Sequence, residues 1–325
     1  MLFRSAAAAF LLGVGLPVGA FAQSVPTFQA ETHLVTLTFS ARDGQGHFVS
    51  GLGRDDFAIY EDGMPQKVSL FSRESELPLT LGLLVDASPS QEKFIKQHLH
   101  DIQIFLSSIL RPQDQAFAVC FGDHLRLVSD LSPNPQAISD GLEKFDGRDS
   151  NGKSSHGKGS RDFAELEPDD SRSGGSAVYD SIYASVTEKL AKSPGRRKAL
   201  ILFSDGEENS SAHDEIETIA AAQGADTLVY AVRYTQVKHN KLSAENRHGM
   251  AGLRHITEQT GGRDFDALHT DLSRTFKVIE EELRSVYSIG YYSTNKAHDD
   301  TFRKIVVEPR VERIAIRAKA GYYAR

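Results

Sequence analysis

The chain has 325 residues, 40% of them hydrophobic, a net charge of −7 and a single cysteine. That length supports one large core and one or two small satellites. The mild acidity, spread along the chain, argues against nucleic-acid binding, and one cysteine excludes an intrachain disulfide.

Arg4, the apolar run 6–18 and Ala20-Phe21-Ala22 follow the pattern of a secretory signal with a small-x-small cleavage site. Residues 1–22 read as a signal peptide, with the mature chain starting at Gln23 and carrying one more negative charge once Arg4 is gone. The run is shorter than the ~20 residues a spanning helix needs. No cysteine follows the cut to take a lipid, and no later segment is apolar enough to span. The expectation is a secreted protein, periplasmic or extracellular, without membrane insertion.

Residues 23–76 read as an N-terminal unit whose stretch from His33 to Phe71 has period two. Val35, Leu37, Phe39 and Ala41 alternate with Thr36, Thr38 and Ser40; turns at Asp43-Gly44-Gln45-Gly46 and Asp62-Gly63 separate further alternating runs around Phe57, Ile59, Val68 and Leu70. This is a small antiparallel β unit that needs a neighbour to complete its core.

From Leu79 the rhythm becomes strand, helix, strand. The run 79–85 is apolar apart from Thr80 and Gly82, as in a strand buried on both faces of a parallel sheet. A helix is predicted over 91–110, strands near 116–121 and 125–128, and helices near 135–145 and 177–190. A buried strand over 198–203 follows, then helix 215–223, strand 227–232, helices 251–260 and 272–286, and strand 287–292. Repeated strand-helix units imply a doubly wound, mostly parallel α/β sheet with helices on both faces. Residues 147–173 contain almost no apolar side chain and read as a flexible surface insertion. After Tyr292, the alternating runs 302–308 and 313–317 and the closing Gly321-Tyr322-Tyr323 suit strands of 293–325 that pack with the N-terminal unit, making one β satellite from both chain ends. Cys120, in an apolar strand, reads as a buried thiol.

A parallel sheet brings its strand C-termini to one edge. Asp86, Ser88 and Ser90 follow the first buried strand, Ser176 precedes a helix, and Asp205 follows Phe203. Two carboxylates and three hydroxyls, with no His or Cys, form an all-oxygen set suited to Mg²⁺ or Mn²⁺. Two carboxylates only balance a divalent ion, which leaves it able to take a further anionic oxygen. The same Asp86, Ser88 and Ser90 also fit a helix N-cap.

These motifs resemble a von Willebrand factor type A domain. Asp86-Ala87-Ser88-Pro89-Ser90 matches the D-x-S-x-S element of that family's metal-ion-dependent adhesion site, Gly174-Gly175-Ser176 resembles its G-G-T segment, and Ser204-Asp205-Gly206 its strand ending in Asp-Gly. The likeness covers roughly residues 77–292 and implies that Asp86, Ser88, Ser90, Ser176 and Asp205 coordinate the metal. Asp55-Asp56-Phe57, Glu61-Asp62-Gly63 and Gly321-Tyr322-Tyr323 further resemble secreted acidobacterial type A-related proteins. Ser176 stands where the family usually has Thr, and Pro89 where it often has Gly; neither change removes an oxygen. What the resemblance implies is a protein-binding, non-enzymatic domain whose partner presents Glu or Asp. Oligomeric state is not encoded in any motif.

Two other readings stand beside it. A Mg²⁺-dependent phosphohydrolase could use two carboxylates and a metal, but G-x-S-x-G, P-loop and paired-histidine motifs are absent, and Ser88 stands where an aspartyl-phosphate enzyme carries a second Asp. His213 and His124 follow strand ends and read as solvated loop residues. Alternatively, the chain is a metal-free scaffold that binds through Tyr287, Tyr291, Tyr292, Tyr322 and Tyr323 of the satellite; the plainer reading puts these tyrosines in the satellite's own core.

Overall fold

The computed structural model describes residues 34–74, 77–122, 125–146, 164–165, 176–235 and 242–324. The expected signal peptide and all of the 147–173 insertion except 164–165 lie outside the described residues. In chain order the first strands are β1 (Leu34–Arg42), β2 (Phe57–Glu61), β3 (Met64–Gln66), β4 (Val68–Glu74) and β5 (Leu79–Asp86). Helix α1 (Ile95–Ile109), β6 (Gln115–Phe121), β7 (Leu125–Ser132), α2 (Pro135–Asp146) and β8 (Ala164–Glu165) follow. Next come α3 (Val178–Ser185), β9 (Arg197–Ser204), α4 (Glu215–Gly224), β10 (Thr227–Arg233), α5 (Ala244–Thr260), β11 (Asp264–Asp266) and α6 (Leu272–Arg284). The chain closes with β12 (Val286–Tyr292), β13 (Phe302–Pro309), β14 (Ala315–Ala318) and β15 (Gly321–Tyr323).

The central sheet has the order β11-β10-β9-β5-β6-β7-β8. It is parallel from β11 to β6 and antiparallel at β7 and β8, which is the doubly wound, mostly parallel sheet expected. Every residue of β5 is buried, because helices cover both faces. Leu79, Leu81 and Leu83 join one apolar core with Ile102 and Phe105 of α1, Ile138 of α2 and Phe276 of α6. Leu84 joins the other with Ile182 of α3, Ile219 of α4 and Ile256 of α5. Gly82 is required on the second face: a Cβ there would come within 2.4 Å of Leu200 and 2.6 Å of the Phe117 ring. Cys120 is buried as expected.

The satellite differs from the expectation. It is two four-stranded antiparallel sheets, β14-β1-β12-β4 and β15-β13-β2-β3, sharing a core that includes Leu37, Phe39, Phe57, Ile59, Tyr287, Ile289 and Ile305. Strand β12, placed by the sequence reading at the end of the 77–292 domain, instead pairs with β1 and β4. The reason is its one-sided pattern: Tyr287, Ile289 and Tyr291 all face the satellite core, where a strand of the parallel sheet is apolar on both sides. Tyr287 and Tyr291 are thus core residues, while Tyr292 is 47% exposed. Within the insertion, residues 164–165 pair with Arg126 and Leu127 and so form a short edge strand. Among the described residues no helix is long and apolar enough to cross a membrane.

One buried group makes the fold acid-sensitive. His98 on α1 packs against Phe94, Phe203 and Tyr234, and among the described residues neither ring nitrogen has a hydrogen-bond partner. Burial pushes its pKa down from 6.5 to about 3. The unfolded chain therefore takes up a proton that the native chain refuses, and stability is lost as pH falls from about 6.5 toward 3. His98→Phe is expected to remove this loss, a difference of about 3 kcal/mol at pH 4 relative to pH 7. Urea unfolding of both proteins at the two pH values checks it; equal pH dependence would contradict it.

Candidate metal centre

The chain leaves β5 toward β6 on one side, while β9 lies on the other. The winding direction of the sheet therefore reverses between β5 and β9, and ligands of open α/β sheets collect in the crevice at the C-terminal ends of such a pair. Asp86 is the last residue of β5 and Asp205 the first past β9. Ser88 and Ser90 follow Asp86 in a loop, and Ser176 lies two residues ahead of α3.

These five residues do converge. Ser176 Oγ lies 3.4 Å from Asp86 Oδ2 although they are 90 positions apart, and Ser88 Oγ lies 3.1 Å from Ser90 Oγ. Oxygens ~2.1 Å from an octahedral Mg²⁺ lie about 3 Å apart along an edge, so both spacings suit adjacent ligands. Asp86, Ser88, Ser176 and Asp205 are buried, and Ser90 is half-buried. Ser88 and Ser90 do not cap a helix: the 3₁₀ turn that follows and α1 both lack a side-chain cap.

Electrostatics make the pair of carboxylates unusual. Burial, reinforced by the charge of Asp205, pushes the Asp86 carboxyl up to about 7 in spite of hydrogen bonds from Ser204 and Ser88. Among the described residues, no Lys, Arg or His forms an ion pair with Asp86 or Asp205. Nor do any three of His, Cys, Asp and Glu cluster as a metal site there. A cation held here would have to use the hydroxyls along with the two carboxylates, as a hard-ion donor set does.

A supporting layer surrounds these oxygens, and the sequence reading missed it. Ser204 Oγ donates to Asp86 Oδ2 at 2.5 Å and accepts from Gly206 N. Gln91, fully buried, donates its Nε2 to Asp205 Oδ2 at 2.7 Å, while its Oε1 has no partner among the described residues. Asn209 grips the backbone of Ser176 in both directions, accepting from Ser176 N at 2.8 Å and donating its own N–H to the Ser176 carbonyl at 3.2 Å. Beyond it, Glu208 accepts from Tyr179 N, and the Asp180 carboxylate accepts from Ala212 N and His213 N. The loop after β9 is thereby strapped to the start of α3, fixing Ser176 relative to Asp205. His213 is no free base: its Nδ1 lies 2.8 Å from Asp180 Oδ1 and its ring stacks on Tyr183 with centroids 3.7 Å apart. Gly174, Gly175 and His124 lie outside the described residues.

No family model matches the chain, and no curated protein sequence matches it. Solved structures similar to it include an aerotolerance-related membrane protein from Bacteroides fragilis, at 12% identity and TM-score 0.46, covering 63% of this chain and 98% of that one. A von Willebrand factor type A structure from Catenulispora acidiphila has 10% identity and TM-score 0.44, covering 91% and 74%. Proximal thread matrix protein 1 from the mussel byssus, whose adhesion-site motif is occupied by zinc, has 12% identity and TM-score 0.45, covering 70% and 50%. The strand order and its flanking helices are those of a doubly wound, mostly parallel α/β fold. Nothing about ligand or partner passes from these structures to this chain.

Proposed function

We propose that this is a metal-dependent protein-binding domain, in which Asp86, Ser88, Ser90, Ser176 and Asp205 hold Mg²⁺ or Mn²⁺. The observation that carries the reading is the buried Asp86 and Asp205 pair, without a basic partner among the described residues and ringed by hydroxyls at ligand spacing. When bound, the ion would supply a Lewis-acidic position able to accept one more carboxylate oxygen, from a Glu or Asp of a partner protein. The chain's own part is positional. Ser88 and Ser90 lie on the loop fixed by the Ser88 N–H to Asp86 Oδ1 bond of 2.9 Å, and Ser176 is held by Asn209. The reading is ligation without catalysis. We place the protein outside the cytoplasm on the strength of its N-terminal signal pattern.

Acetate serves as a surrogate for the partner's carboxylate. Calorimetric titration of acetate into the Mg²⁺-saturated protein is expected to give a saturable signal that EDTA abolishes; a signal indifferent to EDTA would overturn the proposal. Gln91 orients Asp205 from outside the donor set. Gln91→Ala is expected to weaken Mn²⁺ binding roughly tenfold to a hundredfold, the range for residues that orient metal ligands. Unchanged affinity in an Mn²⁺ titration followed by electron paramagnetic resonance would remove Gln91 from the account.

A further inference from the structure

A second cluster of charge lies where β1, β14, α5 and α6 meet. Ser40 stands opposite Arg317 and Arg42 opposite Ala315 in the β1–β14 ladder, so Arg42 and Arg317 share a face on a diagonal that long side chains can span. Gly261, at φ +86°, ends α5; a Cβ there would come within 2.9 Å of the Ala318 carbonyl carbon, and one at Gly262 within 2.0 Å of the Val229 oxygen. This close approach delivers Arg263 to the same place, and α6 brings Glu282. A single oxygen, Glu282 Oε1, receives all three: Arg263 at 2.8 Å, Arg42 at 3.0 Å and Arg317 at 4.0 Å.

The charges do not balance. Guanidinium groups stay protonated, and among the described residues Glu282 is the only carboxylate that any of the three reaches. Further contacts of Arg42 and Arg317 are neutral: Arg42 donates to the Gly46 carbonyl and lies over the Phe48 ring, 3.9 Å from its centroid, and Arg317 donates to the Gly262 carbonyl. The Glu282 side chain is 2% exposed, while those of Arg42, Arg263 and Arg317 are 15%, 29% and 35% exposed. The carboxylate thus forms a floor beneath a cationic rim open to solvent. Burial, and then the charge of Arg263, hold the Arg317 pKa below its ordinary value.

We propose that Arg42, Arg263 and Arg317 form a binding site for a phosphate-type tetrahedral oxyanion, distinct from the metal centre. Guanidinium forks present paired N–H donors that match phosphate oxygens, and an added dianion would neutralise the two surplus charges. Inorganic phosphate and phenyl phosphate are the probes, titrated at constant ionic strength against sodium chloride. Saturable binding of either, with a raised melting temperature, is expected. Tighter inorganic phosphate would assign the free ion, and tighter phenyl phosphate a monoester carried on a larger molecule.

Arg317→Gln and Arg263→Gln, both at the exposed rim, should each weaken binding roughly tenfold or more, the loss expected for a charge-assisted hydrogen bond. Glu282→Gln removes the competing carboxylate and should tighten binding, whereas a purely structural ion-pair network would gain no affinity from it. Phosphate effects no larger than those of chloride, or an identical response in wild type and Arg317→Gln, would overturn the proposal.

Discussion

Asp86→Asn is expected to abolish Mg²⁺ binding while raising the stability of the metal-free protein above pH 7. The carboxyl sits at about 7 in the native protein, against 3.8 for the ordinary group. A raised folded pKa means a proton taken up on folding. Its contribution to stability is complete below about pH 4 and is lost as pH rises through 7. Asparagine keeps the shape and much of the hydrogen bonding to Ser88 N and Ser204 Oγ but cannot ionise. The expected gain is on the order of 2 kcal/mol at pH 8, measured by urea unfolding in EDTA, and it should vanish at pH 4. A variant less stable than wild type at pH 8, or one that still binds Mg²⁺, would contradict this. Such a trade of stability for a charged, desolvated site is a common mark of functional positions.

The opposite end of β5 should behave in the opposite way. Asp114, 1% exposed, accepts hydrogen bonds from Leu79 N at 2.7 Å and Arg111 N at 2.8 Å and is paired with Arg284. Arg284, at the end of α6, also donates to the Ile109 carbonyl at 2.9 Å. One carboxylate thus ties the start of β5 to the ends of α1 and α6. Burial pulls its pKa up, but the Arg284 and backbone hydrogen bonds together hold it below the ordinary carboxylate value. Asp114→Ala would leave the Arg284 charge buried and uncompensated, at an expected cost of about 3–5 kcal/mol. Urea unfolding measures the loss, and a change below about 1 kcal/mol would show that water replaces the partner. Because Asp114 contacts the start of β5 and Asp86 ends it, Mg²⁺ affinity of the folded variant should stay at the wild-type level.

The parallel sheet and the five oxygen-bearing residues were readable because their signals are local. An eight-residue run with every position apolar except Thr80, Gly82 and Asp86 can only be a buried strand or a buried helix, and its length and flanking turns decide for the strand. What was not readable depends on distant pairing. Strand β12 follows a helix, as a parallel strand would, and only the alternation of Tyr287, Ile289 and Tyr291 with Ser288 and Gly290 marks it as half-faced. Helix α5 begins at Ala244, well before the predicted 251, because its first turn is polar and is held by the Ser243 cap on Asn246 N with no apolar periodicity to announce it. Gln91 and Asn209 act through bonds spanning 114 and 33 positions, and neither residue type at those places carries a motif. Glu282 and its three arginines come from four separate segments of the chain, so their convergence exists only in the fold.

The central claim is that residues from separate segments of the chain form one cation site, and calorimetric titration of Mg²⁺ and Mn²⁺ into residues 23–325 tests it most directly. Wild type is expected to show one saturable site that is lost in Asp205→Asn as fully as in Asp86→Asn, although these residues stand at the ends of different strands. No heat with wild type in either metal, or a site that survives both substitutions, would contradict the account.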